Sequence, residues 1–153
     1  MSGLDFLERL VRFESALWAL VERELVAAGE VGPGTLLALR VIARRAGAAR
    51  VQELAHELAV TIGAASKLAD RLERDGLAIR RPHPSDRRSS LIALTDAGEA
   101  AITSAARVVE DLVARRVKSA NELLPASSAV ATLSERMFPG DGAPTSVGGP
   151  TAR

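Results

Sequence analysis

The sequence predicts a mainly α-helical protein with one small β-hairpin, and three observations carry that prediction. Aromatic residues make up 3% of the chain and hydrophobic residues 47%. The interior must therefore be packed from Leu, Val, Ile and Ala, a mix that suits packed helices better than a sandwich of strands. Apolar residues recur at three- and four-residue steps through most of the chain, the spacing of helix faces. Between Leu77 and Leu94 the period changes from 3.6 to 2, which reads as two short strands around a polar loop.

Each element follows in order. The first helix is predicted from Leu4 to about Ala28, with Leu7, Leu10, Val11, Leu17, Val21 and Leu25 on its apolar positions and Gly29 stopping it. Pro33, tolerated in a first helical turn, opens a second helix through Leu36, Leu37, Leu39, Val41 and Ile42, ended by Gly47. A short third helix spans about Gln52 to Leu58, with Leu54, Ala55 and Leu58 inward. After a turn at Ala59–Val60, Thr61 caps a fourth helix, Ile62 to Asp75, which Gly76 terminates. The strands lie at Leu77–Arg81 and Leu91–Leu94. Thr95 caps a long fifth helix with Ile102, Ala105, Val109, Leu112 and Arg116 along one stripe, and Pro125 opens a sixth, Ala126 to Phe138, with Val130, Leu133 and Met137 on one face. From Pro139 the chain is mostly Gly, Pro, Ser and Thr, a composition that predicts a disordered tail.

Composition narrows function by exclusion. With 153 residues the chain fits one domain with a small appendage. The lack of cysteine removes disulfide scaffolds, Cys-ligated zinc and thiol redox chemistry, and agrees with a reducing compartment. Asp5, Glu8 and Arg9 stand where a signal peptide needs an apolar stretch, and no charge-free apolar run approaches the ~20 residues of a membrane span. The expected location is the cytoplasm, without membrane contact. His56 and His83 lie on different elements without a carboxylate cluster, so no metal is expected. No phosphate-cradling glycine loop, nucleophile elbow or triad spacing points to an enzyme, so no catalytic residue and no cofactor is assigned.

The net charge of +1 is unevenly spread. Residues 1–39 carry three basic and six acidic groups, and residues 89–153 six and seven. Residues 40–88 carry eleven basic against six acidic, so the central third is the part drawn to a polyanion. That third holds a helix, tight turn, helix and basic hairpin, a winged helix-turn-helix order with a known use on DNA. On the fourth helix Ala65, Leu68, Ala69 and Leu72 cluster on one side. Gly63, Lys67, Asp70 and Arg74 point away, with Ser66 and Arg71 on the flanks. Small residues at its start allow close approach to base edges, and its free N–H groups favour phosphate. The hairpin tip reads Pro82-His83-Pro84-Ser85-Asp86-Arg87-Arg88. The prolines stiffen it, Arg88 suits a narrow minor groove, and Asp86 is placed to hold that guanidinium. Arg87, Arg80 and Arg81 are expected at phosphates. The DNA-binding set is thus Thr61, Gly63, Ser66, Lys67, Arg71, Arg74, Asp86, Arg87 and Arg88.

The stretches Val51-Gln-Glu-Leu-Ala-His-Glu-Leu, Ser66-Lys-Leu-Ala-Asp-Arg-Leu-Glu-Arg-Asp-Gly-Leu and Asp86-Arg-Arg-Ser-Ser-Leu-Ile-Ala-Leu-Thr-Asp-Ala-Gly resemble the MarR family of bacterial regulators. The resemblance covers about residues 4–138 and is strongest from 51 to 98. It implies a triangular homodimer with intertwined terminal helices and two winged domains on one face of DNA; the leading expectation for such a regulator is a repressor on a pseudo-palindromic operator. It also implies a small-molecule pocket for aromatic acids, to which Arg12, Phe13, Trp18 and Arg40 are assigned. Two departures stand out: Ala59 occupies a turn position often held by glycine, and the third helix starts at Arg50-Val51-Gln52 without a Ser or Thr cap. The resulting division is an N-terminal dimerisation helix over 1–32, a winged DNA-binding domain over 33–95, C-terminal dimerisation helices over 96–138 and the tail over 139–153. The competing reading is a winged helix that binds proteins and has no specific affinity for DNA.

Overall fold

The computed structural model describes residues 2–85, 90–117 and 120–137. Along the chain these form α1 (Gly3–Ala27), α2 (Pro33–Arg44), α3 (Val51–Glu57), α4 (Ile62–Arg74), β1 (Ala78–Pro82), β2 (Ser90–Leu94), α5 (Asp96–Arg116) and α6 (Ala120–Met137). The expected tail, and the wing residues Asp86, Arg87 and Arg88, lie outside the described residues.

Sequence chemistry sets the helix ends. Ser2 and Asp5 exchange backbone and side-chain bonds in a capping box at the start of α1, and the hydroxyls of Thr61 and Thr95 accept from the N–H groups of Ala64 and Gly98. The third helix, lacking a Ser or Thr cap, uses Glu53, whose carboxylate accepts from the N–H of Arg50 at 3.0 Å. Helices α1, α3 and α4 close with the same two backbone bonds. In α4 Gly76 N–H donates to Glu73 O and Leu77 N–H to Leu72 O; in α3 Ala59 donates to His56 and Val60 to Ala55. This closure places the middle residue in the left-handed region, at φ 72° for Gly76 and φ 52° for Ala59. The missing glycine therefore leaves the turn's geometry intact and adds side-chain strain.

The core lies under the winged region. Leu39, Val41, Ile42, Leu54, Leu72 and Ile92 are buried almost completely, with Ala38, Ala49, Ala65, Ala69 and Ala78 between them. A second cluster joins Leu25 of α1, Leu36 of α2 and Ala105 of α5. No aromatic side chain is buried among the described residues, as the composition predicts. At the surface of the core, Arg44 and Arg45 at the end of α2 both bond Glu57 of α3, at 2.6 and 2.7 Å, fixing the angle between the two helices.

The strands pair antiparallel with Ala78 opposite Leu94 and Pro82 opposite Ser90. A single bridge from Ile92 N–H to Ala49 O, 2.7 Å, adds the segment before α3 to the ribbon; nothing in the sequence pattern announced it. At the ribbon's root α5 comes unusually close. Thr95 donates its hydroxyl to Gly76 O and its N–H to Leu77 O, and a Cβ on Gly98 would stand 2.1 Å from that same Leu77 oxygen.

One element differs from expectation. Helix α6 begins at Ala120 rather than after Pro125, so the proline lies inside it. Pro125 is the sixth residue of the helix, past its first turn, so although its fixed φ is helical it removes one i→i−4 hydrogen bond from the ladder. Leu123 and Leu124 are thereby added to the apolar residues of α6. Side chains 121–133 and 135–137 of this helix are all exposed. So are Leu4, Leu7, Leu10, Val11, Phe13 and Leu17 of α1.

Candidate nucleic-acid interface

Helix α4 stands clear of the core along one side because its buried residues, Ala65, Ala69 and Leu72, are confined to the other. Thr61, Gly63, Lys67 and Arg74 are exposed on the clear side and Ser66 is half-buried at its flank. Space around Gly63 is open: an added Cβ there would meet no atom within 4 Å. Thr61 spends its oxygen lone pair on the Ala64 N–H at 3.1 Å, which leaves its proton available to donate. Ile62, at the first position of the helix, is 60% exposed, and the sequence reading had passed it over.

Arg71 does not join this row. Its guanidinium donates to Thr35 Oγ1 of α2 at 3.4 Å and lines a cleft of about 400 Å³ with Trp18, Glu22, Gly34, Thr35 and Asp75. Trp18, one of the four residues assigned to a small-molecule pocket, thus faces α4 across this cleft. Arg12, Phe13 and Arg40 are absent from its lining. Arg12 runs along α1 beside Asp5 and Glu8, Phe13 is 65% exposed, and Arg40 is exposed on α2. Within one chain the four assigned residues do not converge.

Of the wing's two strand arginines, Arg80 is engaged within the chain and Arg81 is exposed. Arg80 binds Asp70 at 2.5 Å and Glu73 at 3.0 Å, tying β1 to α4. Arg81, one residue on and so on the other face of the ribbon, lines a shallow cleft with Glu99 and Gly47. The physical reason for the first is local: α4 carries two carboxylates one turn apart, and a guanidinium on the adjacent strand is the nearest cation that can bridge both. The result also screens negative charge on the outer side of α4.

A further contact was invisible in the sequence because its partners lie 33 residues apart. Arg50 Nη2, just before α3, donates to His83 Nε2 in the wing at 2.6 Å, while His83 Nδ1 lies 3.3 Å from Ser85 Oγ. It holds the base of the wing tip against the start of α3. Among the described residues no group of His, Asp and Glu has the arrangement of a metal site, and no helix is long and apolar enough to cross a membrane.

This architecture is shared with proteins of known structure. CouR from Rhodococcus jostii RHA1, bound to p-coumaroyl-CoA, superposes with a TM-score of 0.73 at 25% identity, covering 90% of this chain and 94% of that one. A mutant MarR from E. coli complexed with operator DNA gives 0.68 at 27% identity, over 89% and 94%. FabT from Streptococcus pneumoniae in complex with DNA gives 0.69 at 20% identity, over 89% and 97%, a likeness of fold. A comparison with curated proteins finds no match. The family model described as MarR family matches residues 35–90, the stretch that holds most of α2 and all of α3, α4 and β1. The chain is thus similar to the MarR family over its winged helix-turn-helix, and it shares the fold of CouR and MarR over about nine-tenths of its length.

Proposed function

We propose that the protein is a homodimeric, cytoplasmic repressor that binds a pseudo-palindromic operator in double-stranded DNA. The observation that carries this reading is the outer side of α4, where Thr61, Gly63, Lys67 and Arg74 are exposed with open space around Gly63. A helix edge of that slimness, with cations along it, fits a major groove about 12 Å wide. Ser66 and Lys67 face base edges, Arg74 faces phosphate, and Arg87 and Arg88, with Asp86 orienting Arg88, serve the wing. Arg71 links α4 to α2 through one guanidinium nitrogen, and its other N–H groups are left to donate to phosphate.

Dimerisation follows from surface that one chain leaves uncovered. Leu4, Leu7, Leu10, Val11, Phe13 and Leu17 of α1, and Leu123, Leu124, Val130, Leu133 and Met137 of α6, are all exposed by 38% or more. Together they make far more apolar surface than scattered exposed residues do. A second copy is the natural cover, with two recognition helices about 34 Å apart on one face of the duplex. Residues 1–32 and 96–138 then form the dimer's helical part and 33–95 its DNA-binding part. A small aromatic or phenolic molecule is the effector class this reading favours; CouR is bound to p-coumaroyl-CoA, whose acyl group is phenolic, and Trp18 is the residue nearest to such a role.

Two measurements test the reading. Light scattering is expected to give twice the 16.1 kDa chain mass, and the monomer mass at micromolar concentration refutes the dimer. Gel shifts with fragments of the protein's own promoter region are expected to lose ~10³-fold or more in affinity between 50 and 200 mM salt if six or more phosphates are contacted. Affinity that ignores salt favours the alternative, a winged helix that binds proteins. Arg88→Ala is expected to weaken specific binding while leaving the dimer folded.

A further inference from the structure

We infer that Ile62 is a specificity-determining residue of this interface and that it reads the C5-methyl group of a thymine. The inference rests on the DNA-binding reading above and adds one contact to it. A lone exposed isoleucine is ordinary on a protein surface, so its position has to make the case. Ile62 is the first residue of α4, directly after the Thr61 cap, and is 60% exposed. It is not among the residues of either core cluster, and the stripe that α4 buries runs through Ala65, Ala69 and Leu72.

Direction matters as much as exposure. Helical side chains lean toward the N-terminus of their helix. At an interior position that lean lays the side chain over the preceding turn; at the first position there is no preceding turn. Ile62 therefore projects off the end of α4 toward whatever that end meets. Its neighbours do not obstruct it: Gly63 has open space around it, and residue 64 is an exposed alanine. One turn later on the same flank is Ser66, a residue with a hydroxyl for base edges or phosphate. The carboxylates further along the helix, Asp70 and Glu73, are held by Arg80 and so do not dominate the field at this end.

Chemistry then selects the ligand atom. Of the four bases only thymine offers the major groove an apolar group, its methyl. An isoleucine gains nothing from phosphate, sugar or the polar edges of the other three bases, and it would leave their donors or acceptors facing an aliphatic surface. A side chain that is branched at Cβ also has few rotamers to lose on contact. The remaining polar positions of α4 can hydrogen-bond several bases, whereas this one discriminates through a single methyl.

The test uses DNA chosen by the protein itself. Duplexes enriched by the full-length protein from a random-sequence pool are resynthesised with deoxyuridine in place of thymine, one position at a time, which removes one methyl and nothing else. The expected result is a loss of about fourfold per half-site at one thymine, the worth of burying one methyl-sized group. Ile62→Ala is expected to bind thymine and uracil duplexes equally at that position, and Ile62→Val to keep the preference. Because Ile62 is exposed, both variants should retain the wild-type melting profile, which circular dichroism checks. If wild type shows no methyl preference anywhere, or Ile62→Ala keeps the same preference, the Ile62 assignment is wrong while DNA binding stands. If no duplex is enriched at all, both readings fail together.

Discussion

Gly98 offers the sharpest test of how the wing is joined to the helical part. Replacing it with alanine should help by helix propensity alone, since glycine inside a helix costs ~1 kcal/mol relative to alanine. The local packing opposes this. A Cβ at Gly98 would lie 2.1 Å from Leu77 O, 0.9 Å inside the 3.0 Å that real Cβ atoms respect. The atom in the way is a backbone carbonyl, and it already accepts the Thr95 N–H at 3.2 Å. It cannot swing aside as a side chain would. Relief requires α5 or the α4–β1 turn to move by nearly 1 Å, straining the Thr95 bonds to Leu77 and Gly76 together. Overpacking of that kind costs ~1–3 kcal/mol and a weakened hydrogen bond ~1 kcal/mol. Set against the propensity gain, Gly98→Ala should lose about 2 kcal/mol, a fall in Tm of about 4–8 °C for a chain of this size. Urea unfolding at one fixed protein concentration measures it, with Ala97→Gly at the exposed neighbouring position as the propensity control. A Gly98→Ala protein as stable as wild type, or more so, would show that the close approach of α5 to Leu77 does not exist.

Three other outcomes follow from single interactions. Ala59 holds a left-handed conformation at φ 52°, so Ala59→Gly should stabilise the protein by about 1 kcal/mol, and an unchanged urea midpoint would refute the strained turn. Burial pushes the Glu57 carboxyl up, but hydrogen bonds and charge from Arg44 and Arg45 outweigh it and leave the group below the ordinary 4.5. A depressed carboxylate stabilises above its unfolded value and loses that contribution as pH falls through the folded one. The stability difference between wild type and Glu57→Gln should therefore be full above pH 4.5 and shrink below it, whereas a pH-independent difference would remove the charged clamp. Arg80→Gln should free Asp70 and Glu73 and weaken duplex binding by about threefold to tenfold at low salt. Adding Asp70→Asn and Glu73→Gln should restore binding if Arg80 acts as a screen, and leave it weak if Arg80 itself touches phosphate.

The division between what the sequence determined and what only the tertiary structure decided follows from the range of the forces involved. Order and type of the elements were legible because helix periodicity, N-caps at Thr61 and Thr95, and terminating glycines at 29 and 76 act within one or two turns of chain. The Leu-Thr-Asp-Ala-Gly run after the second strand was recognised as a pattern. Its reason, a cap at Thr95 and a carbonyl pressed against Gly98, needed the packed structure. The row Thr61, Gly63, Ser66, Lys67 and Arg74 could be drawn from helical geometry alone because one core stripe settles which side remains outside. Arg71 and Arg80 could not be placed in that way. A long cation on a flank goes to whichever partner the fold brings nearest, here Thr35 and the Asp70–Glu73 pair. The same holds for Arg50 and His83, joined only when the chain between them has folded back. Local spacing decided which side chains α4 presents, and packing between distant segments decided which charges remain free to act.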